Sequence, residues 1–136
     1  MQSTHCAYHA FRLLPGQDLR QQIEAYVRYH AIEAGWIATC VGSLTQAHLR
    51  FANQEEGTLV SGHFEIVSLT GTVSVHGVHL HVCISDSSGK TIGGHLLEGS
   101  LVYTTAEVVL GESREWVFRR EADGSTPWKE LQVQKK

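Results

Sequence analysis

Apolar and polar positions alternate along most of the chain, which predicts strands. An alternating or continuously apolar run bounded by turn residues is typical of a strand. Such runs lie at 5–14, 36–41, 45–52, 64–75, 79–85, 91–95, 102–110 and 116–120. One segment, 18–34, repeats its apolar residues at helical spacing and begins with Asp18 as a candidate N-cap. We therefore expect an α+β fold, in which one main helix packs on a mixed, mainly antiparallel sheet.

The strand at 79–85, His-Leu-His-Val-Cys-Ile-Ser, brings two histidines to one face. Side chains of a strand point alternately to opposite faces. His79, His81 and Cys83 therefore share a face, while the apolar residues between them face the core. Cys83 is a further candidate ligand, although a small, half-buried hydrophobic role suits it better.

The turn after this strand predicts where a third histidine lies. Residues 86–90, Asp-Ser-Ser-Gly-Lys, fit a three-residue hairpin loop with glycine in the left-handed conformation. The resulting register places His95 directly opposite His81, with Cβ atoms about 5 Å apart. His79, His81 and His95 could then hold one metal ion and leave a fourth position open, as in catalytic zinc sites. The alternatives are an inert pair of exposed histidines, or a different loop length that turns His95 toward the core.

Two glycines precede the third histidine. Gly93 and Gly94 have no side chains, so they leave room for a ligand or for another stretch of backbone. They are equally consistent with a plain β-bulge.

Composition and charge narrow the functional classes. The 136 residues suit one domain at 1–124, followed by a polar C-terminal tail at 125–136. The net charge is -3, and the 11 Lys and Arg residues are spread along the chain, which disfavours direct DNA binding. Three cysteines at unrelated spacings suggest reduced thiols. With no secretory signal and no membrane-spanning run, the sequence predicts a cytoplasmic protein without a membrane partner.

Several motifs together resemble a known family. They are Gly-His-Phe-Glu-Ile-Val-Ser-Leu-Thr-Gly-Thr-Val at 62–73, His-Leu-His-Val at 79–82, Gly-Lys-Thr-Ile-Gly-Gly-His-Leu-Leu-Glu-Gly at 89–99 and Val-Tyr-Thr-Thr-Ala-Glu-Val-Val at 102–109. This set closely resembles the PPC domain, "plants and prokaryotes conserved", also written PCC. The resemblance is to the stand-alone prokaryotic type and covers the chain from the first strand through residue 112.

The resemblance implies an α+β fold and a homotrimer, and it implies that some members carry a metal, expected to be zinc, on the histidines matching His79, His81 and His95. It also implies a DNA-binding label and an association with transcription factors. The label derives from plant members, in which an AT-hook precedes the domain, and the AT-hook core Arg-Gly-Arg-Pro is absent here. In the plant segment associated with partner contact, His63 stands where the family has arginine.

Three functions remain open. The first is a homotrimeric, metal-binding module that acts through protein or DNA partners. The second is a zinc-dependent hydrolase of a small ester, amide or lactone, with a carboxylate as general base. Candidate carboxylates are Glu65, Glu98 and Glu107, although Glu107 also suits a salt bridge or a subunit interface. The third is a sensor or carrier that uses the metal to hold an anion.

Overall fold

A computed structural model describes residues 1–136 and contains one helix and eight strands. The helix α1 spans Leu19–Tyr29. The strands are β1 Cys6–Leu13, β2 Gly35–Arg50, β3 Thr58–Ser74, β4 Gly77–Ser85, β5 Thr91–Leu96, β6 Leu101–Ser113, β7 Trp116–Glu121 and β8 Glu130–Lys135.

Six of the strands form one sheet in the order β1-β6-β2-β3-β4-β5, and every pair is antiparallel. The last strand, β5, also pairs with β2 through Leu49 opposite Leu96 and Arg50 opposite His95. This extra pairing closes β2, β3, β4 and β5 into a ring. Strands β7 and β8 form a separate two-stranded hairpin.

The core lies on the inner face of the ring and beneath α1. Leu44, Leu49, Leu80, Ile84 and Leu96 are fully buried there. The helix adds one buried face to the same cluster, made of Leu19, Ile23 and Val27. Complete burial of each such side chain contributes about 1.5–3 kcal/mol.

The expected α+β class, with a mixed sheet, is wrong. The chain is mainly β, because one 11-residue helix stands against eight strands and no strand pair is parallel. The apolar residues of the strands bury one another across the ring, so the helix covers only part of the core. The helix α1 is neither long nor apolar enough to cross a membrane.

The helix also ends earlier than residue 34. Ala31 adopts a positive φ of 51°, and the Ile32 amide donates to the Val27 carbonyl at 3.0 Å. This turn reverses the chain, so the residues that follow lead directly into β2. The runs 36–41 and 45–52 belong largely to that one long strand, because register shifts near residues 42–46 bend the strand without ending it.

The segment 125–136, expected to be a polar tail, contributes a strand. Residues Glu130–Lys135 pair along the whole length of β7. Without β8, the backbone groups of β7 would form an unpaired edge. The end of the hairpin is held by an ion pair between Lys136 and Glu33.

Asp18 joins the start of α1 to the loop before β6, and its removal is expected to destabilise the fold. One carboxylate oxygen accepts from the Gln21 amide at 3.0 Å, and the other accepts from the Gly99 amide at 2.6 Å. We expect Asp18→Ala to lower the free energy of unfolding by about 1–2 kcal/mol. Urea denaturation at one fixed protein concentration measures this, with Asp18→Asn, which keeps one acceptor, as an intermediate control. Equal stability of the alanine variant and wild type would contradict the assignment.

Candidate metal centre

The hairpin β4–β5 has the register that its turn predicts. The Asp86 amide donates to the Lys90 carbonyl at 2.9 Å, the Gly89 amide donates to the Asp86 carbonyl at 2.9 Å, and Gly89 has a φ of 82°. His81 therefore lies directly opposite His95. The prediction for this turn is confirmed.

The three histidines converge on the outer face of the ring. One ligand atom from each of His79, His81 and His95 lies within 4.8 Å of the others. The Nε2 atoms of His79 and His81 are 3.1 Å apart. Tetrahedral zinc with bonds of about 2.0–2.1 Å places its ligand nitrogens about 3.3 Å apart. The Nδ1 atom of His95 is buried without a hydrogen-bond partner, as suits an atom left for a metal. The residues therefore fit a metal ion.

The surroundings of the cluster favour the neutral form of two of its imidazoles, those of His79 and His95. Burial lowers the pKa of His95 to about 4, and the positive charges of Arg50 and Arg20 act in the same direction. Burial also lowers the pKa of His79, with Arg120 as the next cause. Neutral imidazole is the form that binds a metal. These two ligands are therefore ready for a metal at neutral pH.

A cavity of about 680 Å³ lies beside His79 and His95. Its walls come from the outer face of the ring, the loops that follow β2 and β5, the helix α1 and the β7–β8 hairpin. The charged residues of its lining are Arg20, Arg50, Arg120, Lys129, Glu55, Glu98 and Glu130, and its apolar residues are Val78, Leu97 and Trp128.

Three arginines of this cavity lie next to the histidines. Arg20 donates from Nη1 to the Leu96 carbonyl at 2.7 Å, and the same atom is 3.5 Å from Nε2 of His95. Arg50 lies opposite His95 in the sheet. Its guanidinium carbon is 5.0 Å from the centre of the Trp128 ring.

Arg120 reaches the site from β7. It donates from Nη2 to the Thr72 hydroxyl at 2.6 Å, and Thr72 lies opposite His79. Arg120 is half-buried, and this burial lowers the pKa of its guanidinium. Sequence reasoning missed these arginines, because Arg20 reaches the site through the packing of α1, Arg50 through ring closure and Arg120 through the C-terminal hairpin.

The candidate carboxylates do not gather at the histidines. Glu98 lines the cavity. Glu65 is exposed on β3 opposite Ser85, and Glu107 is exposed on β6 opposite Arg12; neither lines the cavity.

The two glycines before His95 make room for neighbouring backbone. A Cβ atom on Gly94 would lie 2.8 Å from the Arg50 carbonyl oxygen, and one on Gly93 would lie 2.9 Å from the Val82 carbonyl oxygen. Both distances are too short for a methyl group. The glycines therefore allow β5 to approach β2 and β4 closely.

The chain belongs to the Plants and Prokaryotes Conserved (PCC) domain family, whose domain matches residues 2–114. It is 47% identical over 127 residues to the bifunctional protein GlmU of a Synechococcus strain. The match covers 93% of this chain but only 20% of GlmU, so the chain spans about one fifth of the length of the curated relatives it matches.

Solved structures share the fold. A hypothetical protein from Salmonella enterica has a TM-score of 0.97 at 41% identity, with 100% of this chain and 98% of that chain covered. A metal-containing protein from Archaeoglobus fulgidus has a TM-score of 0.80 at 27% identity, with 96% and 95% covered. A protein from Bacteroides thetaiotaomicron with a provisional DNA-binding name has a TM-score of 0.78 at 20% identity, with 93% and 91% covered, and shows the fold alone.

The lowered pKa of His95 predicts how the metal-free protein responds to pH. Its pKa is about 4 in the folded chain and 6.5 ordinarily, so the unfolded chain binds more protons between these values. Stability is therefore fully retained above about pH 6.5 and falls as the pH drops toward about 4. Urea denaturation in the presence of a chelator measures this slope. His95→Asn, which does not titrate, should flatten it, and an unchanged slope would contradict the assignment.

Proposed function

We propose that this chain is a metal-binding PCC module that holds one zinc ion on His79, His81 and His95. The observation that carries the proposal is the convergence of the three side chains, with ligand atoms within 4.8 Å of one another. The metal-containing protein from Archaeoglobus fulgidus, which has the same fold at 27% identity, supports it. Three imidazoles suit zinc, which when bound supplies a positive charge and an open coordination position.

A hydrolase has weaker support from the geometry. A general base must come within hydrogen-bond reach of the reacting group. Of the three carboxylates that the sequence suggested as a base, Glu65 and Glu107 lie outside the cavity and Glu98 lines it. Glu98 also accepts a hydrogen bond from Gln21 at 3.2 Å. The arrangement therefore favours a binding role for the site.

Metal content tests the proposed site. Protein purified without a histidine tag should contain about one zinc per chain. His81→Ala should lose the zinc while keeping the fold, because His81 is exposed and contributes nothing to the core. Elemental analysis measures the zinc and circular dichroism checks the fold. His63→Ala, also exposed but outside the cluster, should keep the zinc. Equal zinc in wild type and His81→Ala, or none in either, would refute the site.

We also propose that the module assembles as a homotrimer through exposed aliphatic residues of β2 and β3. Val41 on β2 and Val67 on β3 are each 57% exposed, and they lie next to the Gly42–Ile66 pair on adjacent strands. A contiguous exposed apolar patch is typical of an interaction site, and in our proposal these two valines are part of such a patch. Glu107 lies opposite Val41 on β6, so this surface also offers a carboxylate to a second copy.

A charge on this surface should dissociate the trimer. Val67→Asp would place a carboxylate in the proposed interface and is expected to reduce the mass from about three chains to one chain of 15.1 kDa. Size-exclusion chromatography with light scattering measures the mass. Leu14→Asp, at a side chain that is 51% exposed near the start of α1, should leave the trimer intact. A monomeric wild type, or a Val67→Asp variant that remains trimeric, would refute this interface.

The net charge and the cysteines bear on the partners and on the compartment that we propose for this chain. The net charge of -3 favours partners other than DNA for this chain. Cys6, Cys40 and Cys83 are all free thiols, which suits a reducing compartment such as the cytoplasm.

A further inference from the structure

Two arginines of the cavity beside the histidines form no salt bridge, although three carboxylates, those of Glu55, Glu98 and Glu130, also line the cavity. Arg50 and Arg120 are both half-buried, and neither forms a salt bridge with a carboxylate. Arg50 forms no side-chain hydrogen bond either; its guanidinium lies only against the Trp128 ring. Arg20, in contrast, is paired with Glu24 at 3.0 Å. Two guanidiniums therefore remain for a ligand.

Electrostatics makes an anion the natural partner of these groups. Removing a charge from water costs free energy unless an opposite charge or hydrogen bonds compensate for it. The neighbouring imidazoles of His79 and His95 offer no negative charge, and a metal ion on them would add positive charge. A phosphate or a carboxylate would balance the charge of the guanidiniums and that of a metal ion. The oxygens of either group can accept hydrogen bonds from the N–H donors of a guanidinium.

The acidic residues of the cavity restrict where such an anion can lie. Glu130 accepts from the Thr126 hydroxyl at 2.6 Å, and Glu98 accepts from Gln21. These carboxylates, and that of Glu55, would repel an anion in contact with them. Glu130 also acts electrostatically on Arg120 and on His79, so the charged group of a ligand is expected to lie nearer to Arg50 than to Glu130.

We propose that this cavity binds a small organic anion, whose phosphate or carboxylate group lies between Arg50, Arg120 and the histidine cluster and whose body packs on Trp128. The inference rests on the proposed metal site for the coordination position that the anion would complete. The volume of about 680 Å³ is within the range of small-molecule sites. The aromatic wall is supplied at residue 128, outside the residues 2–114 that match the family domain.

Isothermal titration calorimetry of the zinc-loaded protein tests the proposal with three probes. Phenylphosphonate and benzoate each carry one of the two candidate anionic groups on the same kind of ring, a phenyl ring. Benzyl alcohol, which is uncharged, is the control. We expect at least one anion to bind and benzyl alcohol not to bind. Stronger binding of phenylphosphonate would indicate a phosphate ligand, and stronger binding of benzoate would indicate a carboxylate ligand.

Matched variants test the residues. Arg50→Gln should weaken anion binding by about tenfold or more, since a charged hydrogen bond is lost. Because the Arg50 side chain forms no hydrogen bond in the protein, this variant should retain its fold and zinc content. Arg120→Gln should weaken binding similarly. Arg119→Gln is the control and should bind the anion as wild type does. Arg119 is next to Arg120 on β7, but it donates a hydrogen bond to Gln134 and does not line the cavity.

Each outcome separates the anion site from the metal site. The anion site is overturned, and the metal site stands, if the zinc-loaded protein binds no anion. The same holds if benzyl alcohol binds as tightly as the anions, or if Arg50→Gln keeps full affinity for them. If wild type holds no zinc, the metal site fails. Titration of that zinc-free protein then decides the anion site alone, which stands only if Arg50→Gln loses binding.

Discussion

The pairing of β2 with β5 is the constraint on which the structure depends. Two residue pairs make it, Leu49 with Leu96 and Arg50 with His95. Because side chains alternate along a strand, the first pair enters the core and the second faces outward. Closing the ring therefore completes the apolar interior and places a cation beside a candidate metal ligand in one step. Gly94 permits this closure, since a side chain there would meet the Arg50 carbonyl.

The proposed site combines neutral ligands with fixed cations. Burial and the arginines lower the pKa of His79 and His95, so both imidazoles can bind a metal at neutral pH. The same cations would repel a metal ion, however, and an anion in the cavity would relieve that repulsion. Metal and anion are therefore expected to bind together, each lowering the cost of the other. This coupling is a physical reason for arginines to lie beside histidines that bind a metal.

The C-terminal hairpin lies beyond the residues that match the family domain. The match to the domain ends at residue 114, whereas Arg120 and Trp128 line the cavity from beyond that point. The ring and its histidines belong to the shared part, and one wall of the cavity belongs to the added part. In our proposal, the ring holds the metal and the hairpin helps to select the molecule that binds beside it.

Local chemistry in the sequence determined the histidine cluster and the start of the helix. The turn at 86–90 sets the register of its hairpin through Gly89 and backbone hydrogen bonds only a few residues apart, so His81 and His95 could be paired from sequence alone. Asp18 likewise caps α1 through the nearby Gln21 amide. The tertiary structure alone decided the mainly β class, the strand at 130–135 and the positions of Arg50 and Arg120. These depend on contacts between residues far apart in the chain, whose pairing no local pattern of apolar and polar residues specifies.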